Sequence, residues 1–303
     1  MRRFSIPLTL SSILLAACVS GGGDYSPDAP PASTPQNTLP QSGQGNSGGV
    51  LSAGGNAPAA GVEATMSYNA GGRGSGARVD FHNGPMTGVG IRCTRAGGGA
   101  TVPECEAINA SKVWLVNEMS GRYAYVAGFA VEGYGPDGDQ NGFVTIHSGP
   151  GSQPGETVQL PGESVNYAGQ FQAGAALTTG GQTYEGTAAG SVTMIADFTA
   201  GHLSADFQGL ITDGASGRTA DLNAGFENAI IGPDGRFYNA DGTLFNYGGQ
   251  QAWGELDGAF YGPNAEEAAA TFGFGNSLGG MTGVLIGCSE YNPASCIAPN
   301  PRF

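Results

Sequence analysis

The sequence predicts an all-β protein, in which a first β region is followed by a closed antiparallel barrel. Beyond residue 61, apolar and polar residues alternate in short runs separated by turn residues, which is the pattern of half-buried strands. The chain has 55 glycines and 18 prolines in 303 residues, but its 14 phenylalanines and 11 tyrosines lie almost wholly beyond residue 61. This portion therefore has the side chains needed for a core. Glycine-rich open edges would invite pairing with other chains, which favours a closed sheet.

The first 17 residues are typical of a secretory signal. Arg2 and Arg3 precede an apolar run that is too short to span a membrane. The run ends in Leu-Ala-Ala-Cys at residues 15–18, which resembles the bacterial lipobox, in which the cysteine is acylated and begins the mature chain. We therefore expect a signal peptide at 1–17 and a lipid anchor at Cys18. Two or three acyl chains hold a protein stably on a bilayer.

Residues 18–61 are predicted to be a disordered tether. From residue 19 to residue 61 the chain contains ten glycines, six prolines and only two charged residues. Such a segment cannot bury enough apolar surface to offset the chain entropy that is lost on folding. About 240 residues remain beyond it, which is enough for a large all-β domain or two smaller ones.

Charge and motifs exclude several classes of function. Without Arg2 and Arg3 the chain has 9 basic and 25 acidic residues, so nucleic acid is not an expected partner. The nucleophile pattern G-x-S-x-G at residues 45–49 falls in the tether, away from the strand-to-helix turn that such a serine requires. Residues 137–142 match the start of a calcium loop, but Ser148 stands where the glutamate ligand is required. We therefore predict neither an enzyme nor a metal site.

The cysteines beyond Cys18 fall into two close pairs, Cys93 with Cys105 and Cys288 with Cys296. Four cysteines allow three connectivities, of which local pairing is the simplest. Neither pair has the two-residue spacing of a zinc site. We expect disulfides, which form in an oxidising compartment and agree with the secretory signal.

The first β region holds six strand candidates and ends at a boundary. Residues 149–164 are dense in glycine, proline and serine, and we place the first β region at 62–155 and the second at 156–303. The six candidates are Val62–Tyr68, Ala77–His82, Gly88–Cys93, Lys112–Val116, Tyr123–Glu132 and Gly142–His147.

The second β region shows a cleaner alternation, in "SVTMIADF" and in "HLSADFQGLI". The residues between these two runs, Thr199–Gly201, supply a hairpin turn. Further strands are expected at Ala220–Ile230, Gln251–Tyr261 and Gly280–Gly287.

A short helix is expected before the last strand, within the stretch "GAFYGPNAEEAAATFGFG" at 258–275. Pro263 cannot continue a strand ladder. Asn264 is a good helix N-cap, and Glu267 three residues later nearly completes a capping box. The alanines at 268–270 would extend one or two helical turns.

The segments "GAFYGPNAEEAAATFGF" and "GGMTGVLIG", with the hairpin "ADFTAGHLSADF", resemble the C-terminal eight-stranded barrel of transferrin-binding-protein-B-like lipoproteins. The resemblance covers about residues 163–288 and includes the Phe-Tyr-Gly-Pro-x-Ala-x-Glu segment at 260–267. The family also has a β handle before the barrel, which the first β region could form. Its transferrin-binding members have two such lobes, whereas this chain has length for one.

The resemblance implies an outer-membrane lipoprotein, displayed on the cell surface, that binds rather than catalyses. The ligand implied is an iron source, either haem or a protein that carries haem or iron, which is passed to a separate transporter of the TonB-dependent type. An adhesin or immune-evasion lipoprotein that binds a protein without iron is the alternative. An envelope-structural role is a third.

Three residues are candidate ligand contacts. His82 and His147 end strand candidates in the first β region, where related haem carriers hold their ligand, and a haem iron could use either. Tyr134 is one of several aromatic residues that could anchor a partner, although most of them are expected in the core. This larger set is Trp114, Tyr123, Tyr125, Phe129, Tyr134 and Trp253.

Overall fold

A computed structural model gives the structure of the chain and describes residues 42–52, 60–69, 76–82, 86–94, 104–121, 123–138, 140–148, 160–240 and 242–290. Within these ranges there is no α-helix. None of the described residues therefore belongs to a helix that is long and apolar enough to cross a membrane. The predicted signal peptide, the lipidation site at Cys18 and the division between residues 155 and 156 lie outside the described residues.

A first sheet contains eight strands: β1 Ser42–Ser52, β2 Ala60–Asn69, β3 Gly76–Phe81, β4 Gly90–Thr94, β5 Glu104–Ile108, β6 Lys112–Ser120, β7 Tyr125–Tyr134 and β8 Gln140–Ser148. Their order across the sheet is β5-β4-β3-β2-β1-β8-β7-β6, and neighbouring strands are antiparallel. One face carries a core that includes Phe81, Ile91, Phe129 and Ile146. This sheet occupies the place of the expected first β region.

Two of these strands were not among the six candidates. β1 lies within the segment predicted as tether, yet it is a central strand, in which Gly48 pairs with Glu63 on one side and with His147 on the other. A glycine-rich strand between two neighbours satisfies its main-chain groups without a side-chain pattern. β5 is a short edge strand that pairs with β4.

A second sheet closes into a barrel: β9 Ser164–Thr179, β10 Gln182–Asp197, β11 His202–Asp213, β12 Thr219–Ile231, β13 Arg236–Tyr238, β14 Leu244–Tyr247, β15 Gln250–Tyr261, β16 Glu267–Asn276 and β17 Gly279–Ser289. β9 pairs with β17, and β11 pairs with β12, which closes the ring. β13 and β14 both lie between β12 and β15. They form one interrupted strand, so the barrel is eight-stranded and antiparallel, as predicted.

Aromatic side chains fill the barrel interior. The alternation of β11 points Leu203, Ala205 and Phe207 inward, where all three are buried. The ring of Phe207 lies 5.2 Å from that of Phe171 and 4.9 Å from that of Phe272, between ring centroids. The interior is therefore a packed core.

The predicted helix before the last strand is wrong. Glu267–Asn276 is strand β16, and it is buried on both faces. Ala268 and Ala270 face the barrel core, whereas Ala269 packs against the first sheet. A strand covered on two sides loses the apolar-polar alternation that would distinguish it from a helix. Alanines fit here because they leave room for neighbours on both faces.

The first sheet packs against the outer face of β15, β16 and β17. Met119 and Val126 of the first sheet meet Tyr261, Ala269 and Ile286 of the barrel in a separate apolar cluster. Because these residues are nearly or fully buried, the first sheet and this side of the barrel share a buried apolar interface.

Candidate functional site

The cysteine pairing was predicted correctly where the structure describes both partners. Cys93 and Cys105 stand opposite each other on β4 and β5 and form a disulfide. Cys288 is also disulfide-bonded, while Cys296, its predicted partner, lies outside the described residues. The Cys93–Cys105 bridge secures the short edge strand β5.

His147 is buried where the first sheet meets the barrel, with 2% of its surface exposed. Its Nδ1 lies 2.6 Å from the hydroxyl oxygen of Tyr261 on β15. Its Nε2 lies 3.5 Å from Oδ2 of Asp257, which is long for a hydrogen bond. Asp257 in turn accepts hydrogen bonds of 2.9 and 3.2 Å from the guanidinium of Arg236.

The ionisation of these groups follows from their surroundings. Burial, reinforced by the charge of Asp257, raises the pKa of Tyr261, so the phenol keeps its proton and can donate it to Nδ1 of His147. Burial opposes the charge of Asp257, but His147 and Arg236 outweigh it and lower the pKa of this carboxyl. Both ring nitrogens of His147 thus face barrel residues.

The other two candidate ligand residues lie elsewhere. His82 follows β3 and is exposed; β3 is three strands from β8, which corresponds to about 14 Å at ordinary strand spacing. Tyr134 is fully buried in the core of the first sheet, and burial raises the pKa of its phenol. The structure does not bring His82, His147 and Tyr134 together at one surface. Among the described residues no cluster of three or more His, Cys, Asp or Glu side chains could hold a metal ion.

Glu267 also joins the barrel to the first sheet. Its side chain is fully buried, and Oε2 accepts hydrogen bonds from the backbone N–H groups of Tyr123 at 2.9 Å and Ala124 at 2.8 Å. These two residues precede β7. Glu267, which was predicted to be part of a helix capping box, therefore binds the backbone of the first sheet instead.

Both tryptophans of the chain are exposed. The chain has two tryptophans, and Trp114 on β6 is 45% exposed while Trp253 on β15 is 59% exposed. Among the other aromatic residues considered as partner anchors, Tyr125, Phe129 and Tyr134 are buried. The exposure of Trp253 could have been found from alternation in the sequence, because Trp253 lies between Gln251 and Glu255 on the polar face of its strand.

Each tryptophan lies in an apolar patch. The sheet patch consists of Trp114 and Val116, which alternate along the edge strand β6 and are each more than 40% exposed. The barrel patch consists of Tyr238, Leu244 and Trp253, on β13, β14 and β15, with exposures of 45, 49 and 59%. Exposed aromatic residues grouped with aliphatic ones are typical of protein-binding surfaces.

The chain has an all-β architecture, in which an antiparallel sheet packs against an eight-stranded barrel. A point mutant of transferrin-binding protein B from Actinobacillus pleuropneumoniae H49 is similar at 11% identity, with a TM-score of 0.37, over 80% of this chain and 99% of that one. A protein described as a surface lipoprotein is similar at 12% identity and a TM-score of 0.37, over 80% and 98% of the two chains. Isotype 1 transferrin-binding protein B from serogroup B Neisseria meningitidis is similar at 12% identity and a TM-score of 0.32, over 77% and 63%.

No protein-family model and no curated protein sequence matches the chain. Two of the similar solved structures are transferrin-binding proteins B. Sequence identities and TM-scores this low do not identify the ligand of this chain.

Proposed function

We propose that this chain is a surface-displayed outer-membrane lipoprotein, anchored through Cys18, that binds a protein partner and has no enzymatic activity. The observation that carries this proposal is the exposure of both tryptophans. Burying a tryptophan contributes strongly to a protein interface, and tryptophan is enriched at the residues that dominate binding energy. A chain that buries most of its large aromatic residues and exposes both tryptophans on its outer surface favours a protein ligand.

Free haem is less well supported as the ligand. Aromatic side chains fill the barrel interior, and both ring nitrogens of His147 face buried barrel residues. A haem iron bound at His147 would have to displace Tyr261 or Asp257 from the buried interface between the first sheet and the barrel. His82 is exposed but lies far from His147 and Tyr134.

The partner that we propose is a protein that carries iron or haem, whose cargo passes to a separate TonB-dependent transporter. This choice depends on the resemblance of residues 163–288 to the transferrin-binding-protein-B-like lipoproteins. A partner without iron, as for an adhesin or an immune-evasion protein, would use the same exposed patches.

The test uses the full chain in detergent with two probes, fluorescently labelled iron-loaded transferrin and labelled haemoglobin. We expect saturable binding of at least one probe, and no saturable shift of the Soret band when free haem is added instead. A saturable haem shift that is lost in His82→Ala would overturn the proposal in favour of a haem carrier. Binding of neither protein would remove iron-carrying proteins as the partner.

A further inference from the structure

The negative charge of the chain is concentrated in the barrel. Residues 160–290 contain 14 acidic residues and two arginines, Arg218 and Arg236, while the whole chain has 25 acidic and 11 basic residues. Arg236 is already paired with Asp257. The outer surface of the barrel is therefore strongly anionic, and a cationic partner would be attracted to it.

The barrel patch lies where the ring of strands is interrupted. Chain 239–243 separates β13 from β14, and the outer faces of the flanking strands are exposed beside it. Phe245 pairs with Ala252, so the preceding residue, Leu244, lies across from Trp253. On the opposite side of Trp253 the register partner is Gly275, which has no side chain to cover the indole.

Two carboxylates lie beside this patch. Glu227 on β12 pairs in register with Leu244 and is exposed. Glu255 is two residues from Trp253 on the same face of β15, which places it about 7 Å along the strand. Burial raises the pKa of Glu255, a hydrogen bond with the Asn239 side chain opposes this rise, and the charge of Asp257 adds to it. Among the described residues neither carboxylate forms an ion pair with a lysine, arginine or histidine.

We propose that the barrel patch docks a basic segment of the protein partner, in which an arginine or lysine lies on the Trp253 indole and pairs with Glu255 and Glu227. Leu244 contacts the aliphatic part of that side chain. Tyr238 pairs with Asp257, four residues along β15 from Trp253, and contacts an apolar neighbour in the same segment. This inference rests on the proposed function, since it assumes a protein partner, and it adds the chemistry of the contact.

The arrangement suits a cation better than a neutral group. The face of an indole attracts a guanidinium or ammonium group, and this attraction grows when the contact excludes water. A half-buried carboxylate without a cationic partner is stabilised when a cation arrives. The aromatic face and the two carboxylates would therefore act on the same charge, and a guanidinium also offers several donors to carboxylate oxygens.

The test uses the full chain carrying Trp114→Phe, in which Trp253 is the one remaining tryptophan, and a short peptide of alternating arginine and leucine as the probe. We expect saturable quenching or a shift of Trp253 fluorescence. Glu227→Gln with Glu255→Gln should weaken binding about tenfold. The matched control, Asp221→Asn with Glu185→Gln, removes the same charge elsewhere on the barrel and should retain binding.

Absence of peptide binding would overturn the inference, and so would equal weakening of binding by the two double variants. A third contrary result would be a peptide-induced change of Trp114 fluorescence in Trp253→Phe as large as the change of Trp253 fluorescence in Trp114→Phe. Equal weakening would mean a general attraction to the acidic barrel. Competition between the peptide and a bound iron carrier separates this inference from the proposed function. If the carrier binds but the peptide neither binds nor competes, the proposed docking site is wrong and the proposed function stands. If no carrier binds, the proposed function is wrong, whatever the peptide does.

Discussion

Replacing Glu267 by alanine should weaken the attachment of the first sheet to the barrel. The side chain is fully buried, and its carboxylate accepts hydrogen bonds from two backbone N–H groups at 2.9 and 2.8 Å. Removing this carboxylate leaves the N–H groups of Tyr123 and Ala124 without their acceptor. An unsatisfied buried donor costs about 1–3 kcal/mol, so we expect a loss of about 2–6 kcal/mol.

Urea unfolding followed by tryptophan fluorescence measures this loss, because Trp114 lies in the first sheet and Trp253 in the barrel. With a denaturant slope of about 3 kcal/mol per molar, the midpoint should fall by about 0.7–2 M. Trp114→Phe and Trp253→Phe backgrounds separate the two signals, and the first sheet should unfold at the lower urea concentration.

Glu266→Ala is the matched control, because this neighbouring carboxylate bonds only locally in the described contacts, to the backbone and side-chain amides of Asn264. It should cost less than about 1 kcal/mol. Equal midpoint shifts for Glu266→Ala and Glu267→Ala would refute the role given to Glu267.

Three further predictions concern the barrel and its junction with the first sheet. Tyr261→Phe removes the donor that lies 2.6 Å from the buried Nδ1 of His147 and should destabilise the fold by about 1–2 kcal/mol in urea unfolding, whereas Tyr238→Phe on the surface should have little effect. Gly258→Ala places a methyl group 2.3 Å from the Phe237 ring and should cost about 1–3 kcal/mol by calorimetry; an equal cost for Gly174→Ala, which meets nothing within 4 Å, would contradict this reasoning. Hydrogen bonds from the Ser216 hydroxyl and from backbone N–H groups lower the pKa of Asp213 from 3.8 to about 2. Its stabilising effect is therefore present above about pH 4 and is lost as the pH falls towards 2. Asp213→Asn should lower the melting temperature near neutral pH and leave it almost unchanged near pH 2.

The sequence predicts the barrel well because most barrel strands have one polar face. In β10 and β11 apolar side chains alternate with solvated ones, so the period of two is visible and the hairpin at Thr199–Gly201 follows. β16 lacks this alternation, because its second face is covered by the first sheet. The Asn264 and Glu267 signals for a helix are local, and tertiary contacts override them.

The junction residues could not be assigned from sequence for a similar reason. His147 ends its strand candidate as a solvated or ligand-binding histidine would, and nothing in the neighbouring residues shows that Tyr261, more than a hundred positions away, meets its ring. β1 was not predicted, because it is held as a strand by main-chain pairing with two other strands and not by a side-chain pattern of its own. The exposure of Trp253, in contrast, is predictable from strand alternation alone.

The most direct test of the account is the binding of labelled iron-loaded transferrin and labelled haemoglobin to the full chain in which Trp114 and Trp253 are both replaced by alanine. The matched control is Ile195→Ala, because this residue is 52% exposed on β10, outside both patches. We expect the tryptophan double variant to weaken binding of the recognised probe by about tenfold or more and Ile195→Ala to leave it unchanged. Undiminished binding by the double variant would contradict the claim that the exposed tryptophans form the partner surface.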